Sequence, residues 1–359
     1  MRKSKIKVAV VYNEPEPEMY IRTDGDEVKN LEFKTYFEVD KTTPMEEFDY
    51  IAKKLENVGF TAYTLNIRDN LELMLSNLKK EKPDVIFNFV EIYKENSRLE
   101  MNIAGLYELL GIPYTGAPAL ALANCQNKIL AKRLLSTSGI IIPPYYIVTA
   151  SSSRYVHKLN YPLLVKPALE DASVGIENES IVSNSKQLRI RIEHVLKYFQ
   201  QPALIEEFIE GRELNVAVMG DRRLRVLPIS EIDFSAMPDH LHNIVSYQAK
   251  WDPHHESYHK TIPICPAPLP KEIEKRAKEM AFKAFKVMGC RDYARVDMRL
   301  AKNNKLYVLE VNPNPDITEG AGFMRSAEHS GMTYAQALKR IVKYALARRS
   351  NLKSAIVPA

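Results

Sequence analysis

Tyr293-Ala-Arg-Val-Asp-Met-Arg-Leu300 and, after a short polar break, Leu306-Tyr-Val-Leu-Glu-Val-Asn312 decide how this chain is read. The first stretch alternates, so Arg295, Asp297 and Arg299 share one face of a strand while Ala294, Val296, Met298 and Leu300 share the other. The second alternates as well and gives Glu310 and Asn312 a common face. Ala301-Lys-Asn-Asn-Lys305 between them reads as a hairpin, and a two-residue turn at Asn303-Asn304 sets Asp297 opposite Glu310 and Arg295 opposite Asn312. Directly opposed carboxylates repel unless a cation lies between them. Two carboxylates with an amide oxygen are hard ligands of the kind Mg2+ takes, so the hairpin predicts a magnesium site at Asp297, Glu310 and Asn312. The plainer alternative is a solvated face on which Arg295 neutralises Asp297.

Working outward, residues 6–12 read as a buried strand and residues 13–42 as a polar loop or added hairpin. Thr43-Pro44-Met45-Glu46 supplies an N-cap, a first-turn proline and a capping-box glutamate for a helix that Gly59 closes. A strand over 60–67, a helix over 69–80 and the apolar run 83–90 complete a β-α-β-α-β alternation, which implies a parallel sheet. Ser97 and Glu100 form a second capping box, and one helix is expected from Asn124 to Ser138 before a joint at Pro143-Pro144. Strands follow at 161–165, 203–209 and 214–219. Helix 271–288 sets Ile273, Ala277, Met280, Ala281, Ala284 and Met288 on one face, and Thr333 with Gln336 caps the last helix.

Composition narrows the function class. A chain of 359 residues carries two to three domains at the usual domain size of about 150. With 45% hydrophobic and 26% charged residues it is a globular sequence, and disorder, collagen and coiled coil are excluded. A net charge of +5 is too small to argue for nucleic acid. Cys125, Cys265 and Cys290 match no zinc or redox spacing, and no apolar run approaches the roughly 18 residues of a membrane span. A cytoplasmic location without membrane partner is therefore expected. Only 13 residues are glycine, so any grip on phosphate uses few of them.

Lys166 ends an apolar strand, Lys250 lies in Ser246-Tyr-Gln-Ala-Lys-Trp251, and Glu206-Glu-Phe-Ile-Glu-Gly-Arg-Glu213 links two strands. Taken in order with Leu110-Gly-Ile-Pro-Tyr-Thr-Gly116, Asn127-Lys128, Leu164-Val-Lys-Pro167, Ser173-Val-Gly175, Tyr247-Gln-Ala-Lys250, Ala294-Arg-Val-Asp297 and Leu309-Glu-Val-Asn-Pro313, these segments resemble the ATP-grasp superfamily. They are most similar to the D-alanine:D-alanine ligase family, from about residue 83 to 345. The resemblance implies an α/β and α+β architecture: an ATP-grasp fold behind an amino-terminal Rossmann-like domain. Its expected segments are an amino-terminal α/β substrate domain over 1–123, a central ATP-grasp part over 124–205 and a carboxy-terminal part over 206–359 with the metal and catalytic residues.

It also implies roles. Lys128 and Lys166 would meet ATP phosphates, Glu206 would sit at the nucleotide, and the backbone of Glu207, Phe208 and Ile209 would meet adenine. Glu213 would hold the ribose, Lys250 would cover the phosphates from a lid, and Arg295 would stabilise a tetrahedral intermediate. Asp297, Glu310 and Asn312 would carry two Mg2+ ions, or Mn2+. The implied reaction joins a small-molecule carboxylate and an amine, through an acyl phosphate, into an amide or dipeptide, in a chain that is a homodimer in the resembled family. An ester-forming ligase and a catalytically silent ATP-binding module stay open as alternatives.

The departures from the family pattern fall on the substrate side. The family's Glu-Gly-Ser-Ser-Val-Gly loop is Glu170-Asp-Ala-Ser-Val-Gly175 here, and Trp251 stands where the family has a tyrosine. An early Gly-x-Ser-x-Glu signature is missing, and Pro315-Asp-Ile-Thr318 with Ala321 replaces Pro-Gly-Met-Thr and a carboxylate-binding serine. Ser173, Trp251, Asp316 for an ammonium and Arg325 for a carboxylate become the substrate-side candidates. Five histidines, His240, His242, His254, His255 and His259, crowd the lid, where contact with nucleotide or substrate is expected rather than a structural zinc.

Overall fold

A computed structural model describes residues 5–19, 43–152 and 155–348, so most of the loop or hairpin expected over 13–42 lies outside the described residues. Strands β1 (Lys7–Tyr12), β2 (Thr61–Asn66) and β3 (Val85–Phe89) pair in parallel with β1 in the centre. Val8 to Val11 are all fully buried, the mark of a parallel strand covered on both faces. Helix Pro44–Asn57 begins as its sequence dictates: the Thr43 side chain accepts the Glu46 amide, Glu46 reaches back to Thr43, and Ile51 and Leu55 face the sheet.

Two local expectations fail for the same reason, an asparagine side chain that outcompetes the helix. Asn96, not Ser97, caps the next turn through the Arg98 amide, and the helix proper is Glu100–Leu109. Glu100 is thereby released from a capping box, and its carboxylate accepts the amides of Gln126 and Asn314. The helix expected over 124–138 is two helices, Ala119–Gln126 and Lys128–Thr137. Asn127 between them is extended (φ −83°, ψ 94°), ending the first and capping the second through the Leu130 amide.

The second sheet is antiparallel: β4 (Tyr145–Val148), β5 (Leu163–Pro167), β6 (Ile181–Val182) and β7 (Ala203–Glu207) in the order β4-β7-β5-β6. The strand expected over 203–209 thus stops at Glu207. The third sheet holds β8 (Gly211–Gly220), β9 (Leu224–Val226), β10 (Ser230–Asp233), β11 (Ile262–Ile264), β12 (Asp292–Ala301) and β13 (Leu306–Asn312), in the order β11-β10-β8-β12-β13 with β9 on β8.

Helix Lys271–Met288 covers this sheet with the predicted Ile273, Ala277, Ala281, Ala284 and Met288 buried and Met280 partly so; Gly289 ends it in the left-handed region (φ 78°). Ala131 and Leu135 of the helix Lys128–Thr137 join the same core, beside Leu214 and Val296. Helices Gly322–His329 and Tyr334–Ala347 instead pack Phe323, Leu338 and Ile341 against Val8, Val10 and Phe87 of the first sheet. Arg348 fastens that return with a forked ion pair to the fully buried Asp292 and a 2.9 Å bond to the Tyr114 carbonyl. No helix of the described residues is long and apolar enough to cross a membrane.

Candidate active site

Residue pairing on the β12–β13 hairpin is as expected at its open end and different at its turn. Asp297 faces Glu310 and Arg295 faces Asn312, but nearer the turn Met298 faces Val308 and Leu300 faces Leu306. The turn is a three-residue loop: the Ala301 amide donates to the Lys305 carbonyl, the Asn304 amide to the Ala301 carbonyl, and Asn304 takes the left-handed position (φ 61°). This corrects the two-residue turn. Leu309 is the extra residue of a β-bulge that moves the register by one. Because of it Leu306, Val308 and Val311 all reach the core, while Glu310 and Asn312 share the open face with Asp297.

On that face Arg295 clamps Asp297 with two bonds of 2.8 Å, and Asn215 from β8 and Asn312 add amide bonds of 2.8 Å and 2.7 Å. Burial alone would lower the Arg295 pKa; Asp297 beside it raises it above the ordinary value, so the guanidinium stays charged. Lys128, in the first turn of its helix, lies 3.5 Å from Glu310. Burial pushes the Glu310 carboxyl up, yet Lys128, Lys166, Arg295 and Lys250 together hold it down at about 2. Four cations from four elements thus act on one carboxylate, Lys128 from the shortest range.

Near the link between β7 and β8, β5 carries Lys166, which bonds Glu206 of β7 at 2.7 Å. The Glu207 and Phe208 amides are already given to the carbonyls of Pro144 and Pro162, and the Glu207 carboxylate accepts the Asn160 backbone and side-chain amides at 2.9 Å each. Among the described residues no backbone carbonyl accepts the Ile209 amide, which leaves it as a donor between β7 and β8. Glu213 pairs with Arg299 at 2.8 Å; its burial and the nearby Asp297 and Glu310 raise its pKa, while Arg299 lowers it.

The segment expected to form the lid, which includes the short helix Tyr247–Trp251, is bound to the loop over 168–176. Ser173 donates its hydroxyl to the Val245 carbonyl at 2.9 Å, the Tyr247 amide donates to Ile176, and the Trp251 indole donates to the Ala172 carbonyl at 2.9 Å. Lys250 lies 4.9 Å over the Trp251 ring. Ser173 thereby ties that loop to the segment around Val245. Two substrate-side candidates are engaged locally: Asp316 accepts the Thr318 amide at 2.9 Å, and Arg325 donates to the Gly320 carbonyl at 2.7 Å. The lid histidines hold its turns: His255 accepts the Ser257 amide, His259 meets the Pro253 carbonyl at 2.9 Å, and His240 lies 3.2 Å from Glu256. Among the described residues no group of three His, Cys, Asp or Glu side chains is arranged to hold a metal, so the His255 and His259 spacing gathers no ligand set.

Four contributors were not singled out from sequence. Asn215 braces Asp297, Arg299 braces Glu213, Lys132 pairs with Glu206, and Glu91 stands beyond the end of β3. Burial pushes the Glu91 carboxyl up, Asp316 and Asp171 add to that push and Lys250 opposes it, leaving it at about 7. The Glu91 side chain also keeps contact with solvent. A signal for Lys132 was present: a lysine between Ala131 and Leu135, one turn from Lys128.

Residues 134–343 match the family model described as D-ala D-ala ligase C-terminus. The D-alanine–D-alanine ligase of Desulforudis audaxviator is 33% identical over 250 residues, 68% of this chain and 77% of that protein. That of Carboxydothermus hydrogenoformans is 31% identical over 310 residues, 84% and 93% of the two chains. The fold matches that of a Bacillus anthracis D-alanine–D-alanine ligase solved with ATP: TM-score 0.70 at 22% identity, over 96% of this chain and 99% of that one. With the family model covering more than half of its length, the chain belongs to the D-alanine:D-alanine ligase family of the ATP-grasp fold.

Proposed function

We propose that the site assembled from β5, β7, β12, β13 and the helix Lys128–Thr137 performs the reaction of its family with changed substrates: the chain is an ATP-dependent carboxylate–amine ligase that releases ADP and phosphate. The observation that carries this is Lys128 at 3.5 Å from Glu310, with Lys166, Arg295 and Lys250 near enough to help hold that carboxylate ionised: cations from four elements gathered at a face suited to a polyphosphate. Segments 1–123, 124–205 and 206–359 are taken as the substrate part, the central ATP-grasp part and the catalytic part, and a cytoplasmic homodimer is the accompanying expectation.

In this reading Lys128 and Lys166 bind the phosphates, the Ile209 amide meets the adenine edge beside Glu206, and Glu213 takes the ribose hydroxyls. The substrate carboxylate attacks the γ-phosphorus, and the amine then displaces phosphate from the acyl phosphate. Lys250 and the lid exclude water, to which an acyl phosphate is labile. Arg295 donates to the oxyanion of the tetrahedral intermediate.

The donor set fits Mg2+. Asp297 and Glu310 are opposed, Glu310 is held ionised, and Asn312 adds an amide oxygen on the same face. Two carboxylates and an amide fall short of an octahedral shell, the usual state of a magnesium site completed by substrate phosphates. When bound, two such ions, or Mn2+, would neutralise charge on the phosphate oxygens.

The substrates are proposed to differ from a pair of D-alanines. Asp171, Ala172, Trp251 and Asp316 replace family groups, and each lost hydrogen bond to an old ligand is worth about 1 to 3 kcal/mol. Asp316 suits an ammonium and Arg325 a carboxylate. The test is purified protein with ATP, Mg2+ and pooled D- and L-amino acids, following phosphate release and the mass of products. Phosphate release with new amides is expected; no release with any pool would sink the ligase reading, and family-typical synthesis of D-alanyl-D-alanine would sink the altered-substrate reading.

A further inference from the structure

We propose that Lys132 is a positioning residue for the nucleotide: by taking one oxygen of Glu206 it keeps Lys166 available to phosphate. The proposal rests on the reading that Lys166 binds ATP phosphates. Lys132, Lys166 and Glu206 are all buried, at 2%, 5% and 2% exposure. One Glu206 oxygen meets the Lys132 ammonium and the other meets Lys166 at 2.7 Å, so two ammonium groups share one carboxylate.

The arithmetic of charge gives this arrangement a consequence. A lone Glu206–Lys166 pair would be neutral and self-satisfied, with Lys166 held away from any incoming anion. Adding Lys132 leaves these three side chains with one positive charge in excess, which the Glu310 carboxylate nearby offsets only while it is shared with Lys128, so an incoming anion is favoured there. Lys132 is too deeply enclosed to be that anion's ligand. It sits one helical turn from Lys128, whose ammonium reaches Glu310, so one helix sets the position of both lysines. Glu206 in turn precedes the Glu207–Ile209 link proposed to meet the base, and the cluster therefore connects the proposed phosphate contacts to the proposed base contacts.

The experiment compares the full chain with Lys132→Met, Lys132→Arg and Lys132→Met/Glu206→Gln, measuring KM and kcat for Mg-ATP and, separately, binding of Mg2+ with inorganic tripolyphosphate, which has no base. Lys132→Met should raise KM for ATP and weaken tripolyphosphate about tenfold, the scale of one charge-assisted contact, with kcat changed less. Lys132→Arg should restore most of the loss. In the double variant a neutral amide no longer draws Lys166 away, so tripolyphosphate binding should recover relative to Lys132→Met. A merely structural lysine would not give that recovery. Unchanged binding in Lys132→Met, or a double variant weaker than the single one, overturns the proposal. If Lys132→Met does not fold by thermal melting, Lys132→Arg and the double variant are compared with wild type instead, and loss of tripolyphosphate binding in both overturns it. Wild-type protein that binds neither ATP nor tripolyphosphate would overturn the underlying site reading, and with it this proposal.

Discussion

Asp297 and Glu310 face each other across β12 and β13 because Leu309 is an extra residue between two registers. Were the strands paired straight from their turn, Leu309 would face Asp297, and Glu310 would point into the core beside Val296. The bulge is thus what makes two carboxylates into one site. Asp297→Asn and Glu310→Gln should each cut ATP-dependent phosphate release at least about a hundredfold, the scale of losing a preorganised transition-state contact, with little change in melting temperature. Steady-state assays beside thermal melts check this, and persisting turnover would refute the assignment.

The Trp251 indole and the Ala172 carbonyl join the lid to the loop where the resembled family uses a tyrosine and a serine. Trp251→Phe keeps the ring and removes the donor, a loss of about 1 kcal/mol. Closure should weaken roughly fivefold, and more phosphate should be released per molecule of product as water gains access. The ratio of phosphate to product by mass spectrometry reads this directly.

Glu91 titrates from a value of about 7 in the folded chain against 4.5 for the free group. A raised carboxyl stabilises the fold where it is protonated, so its contribution is fully present below about 4.5 and is lost as pH rises through about 7. Glu91→Gln should therefore flatten the fall of melting temperature across that interval. Parallel curves for the two proteins would show that Glu91 is not shifted.

Arg348 and Asp292 hold the last helix to the loop at Gly116, whose amide donates to Asp292 at 3.0 Å. Burial raises the Asp292 carboxyl and Arg348 opposes that shift. Arg348→Met should cost about 3 to 5 kcal/mol because a buried charge is left unpaired, and Asp292→Asn added to it should recover part of the loss. Urea unfolding of the single and double variants measures both.

Sequence by itself determined the elements whose signals are local. The Thr43 and Thr333 capping boxes, the buried face of helix 271–288 and the alternation of 293–300 need only neighbours within a turn or a strand. It also supplied the order of motifs that marks the family. What tertiary structure alone decided is how distant pieces meet. Asn127 and Asn96 redirected two helices, because a side-chain cap competes with helix on terms that periodicity does not register. The bulge at Leu309 arises from fitting a three-residue turn to a core that demands Val311 on the inside. Lys132, Asn215 and Arg299 act on the site through partners Glu206, Asp297 and Glu213 that are 74, 82 and 86 positions away in sequence. A buried charge is specified by what lies opposite it in space, and that information is long-range.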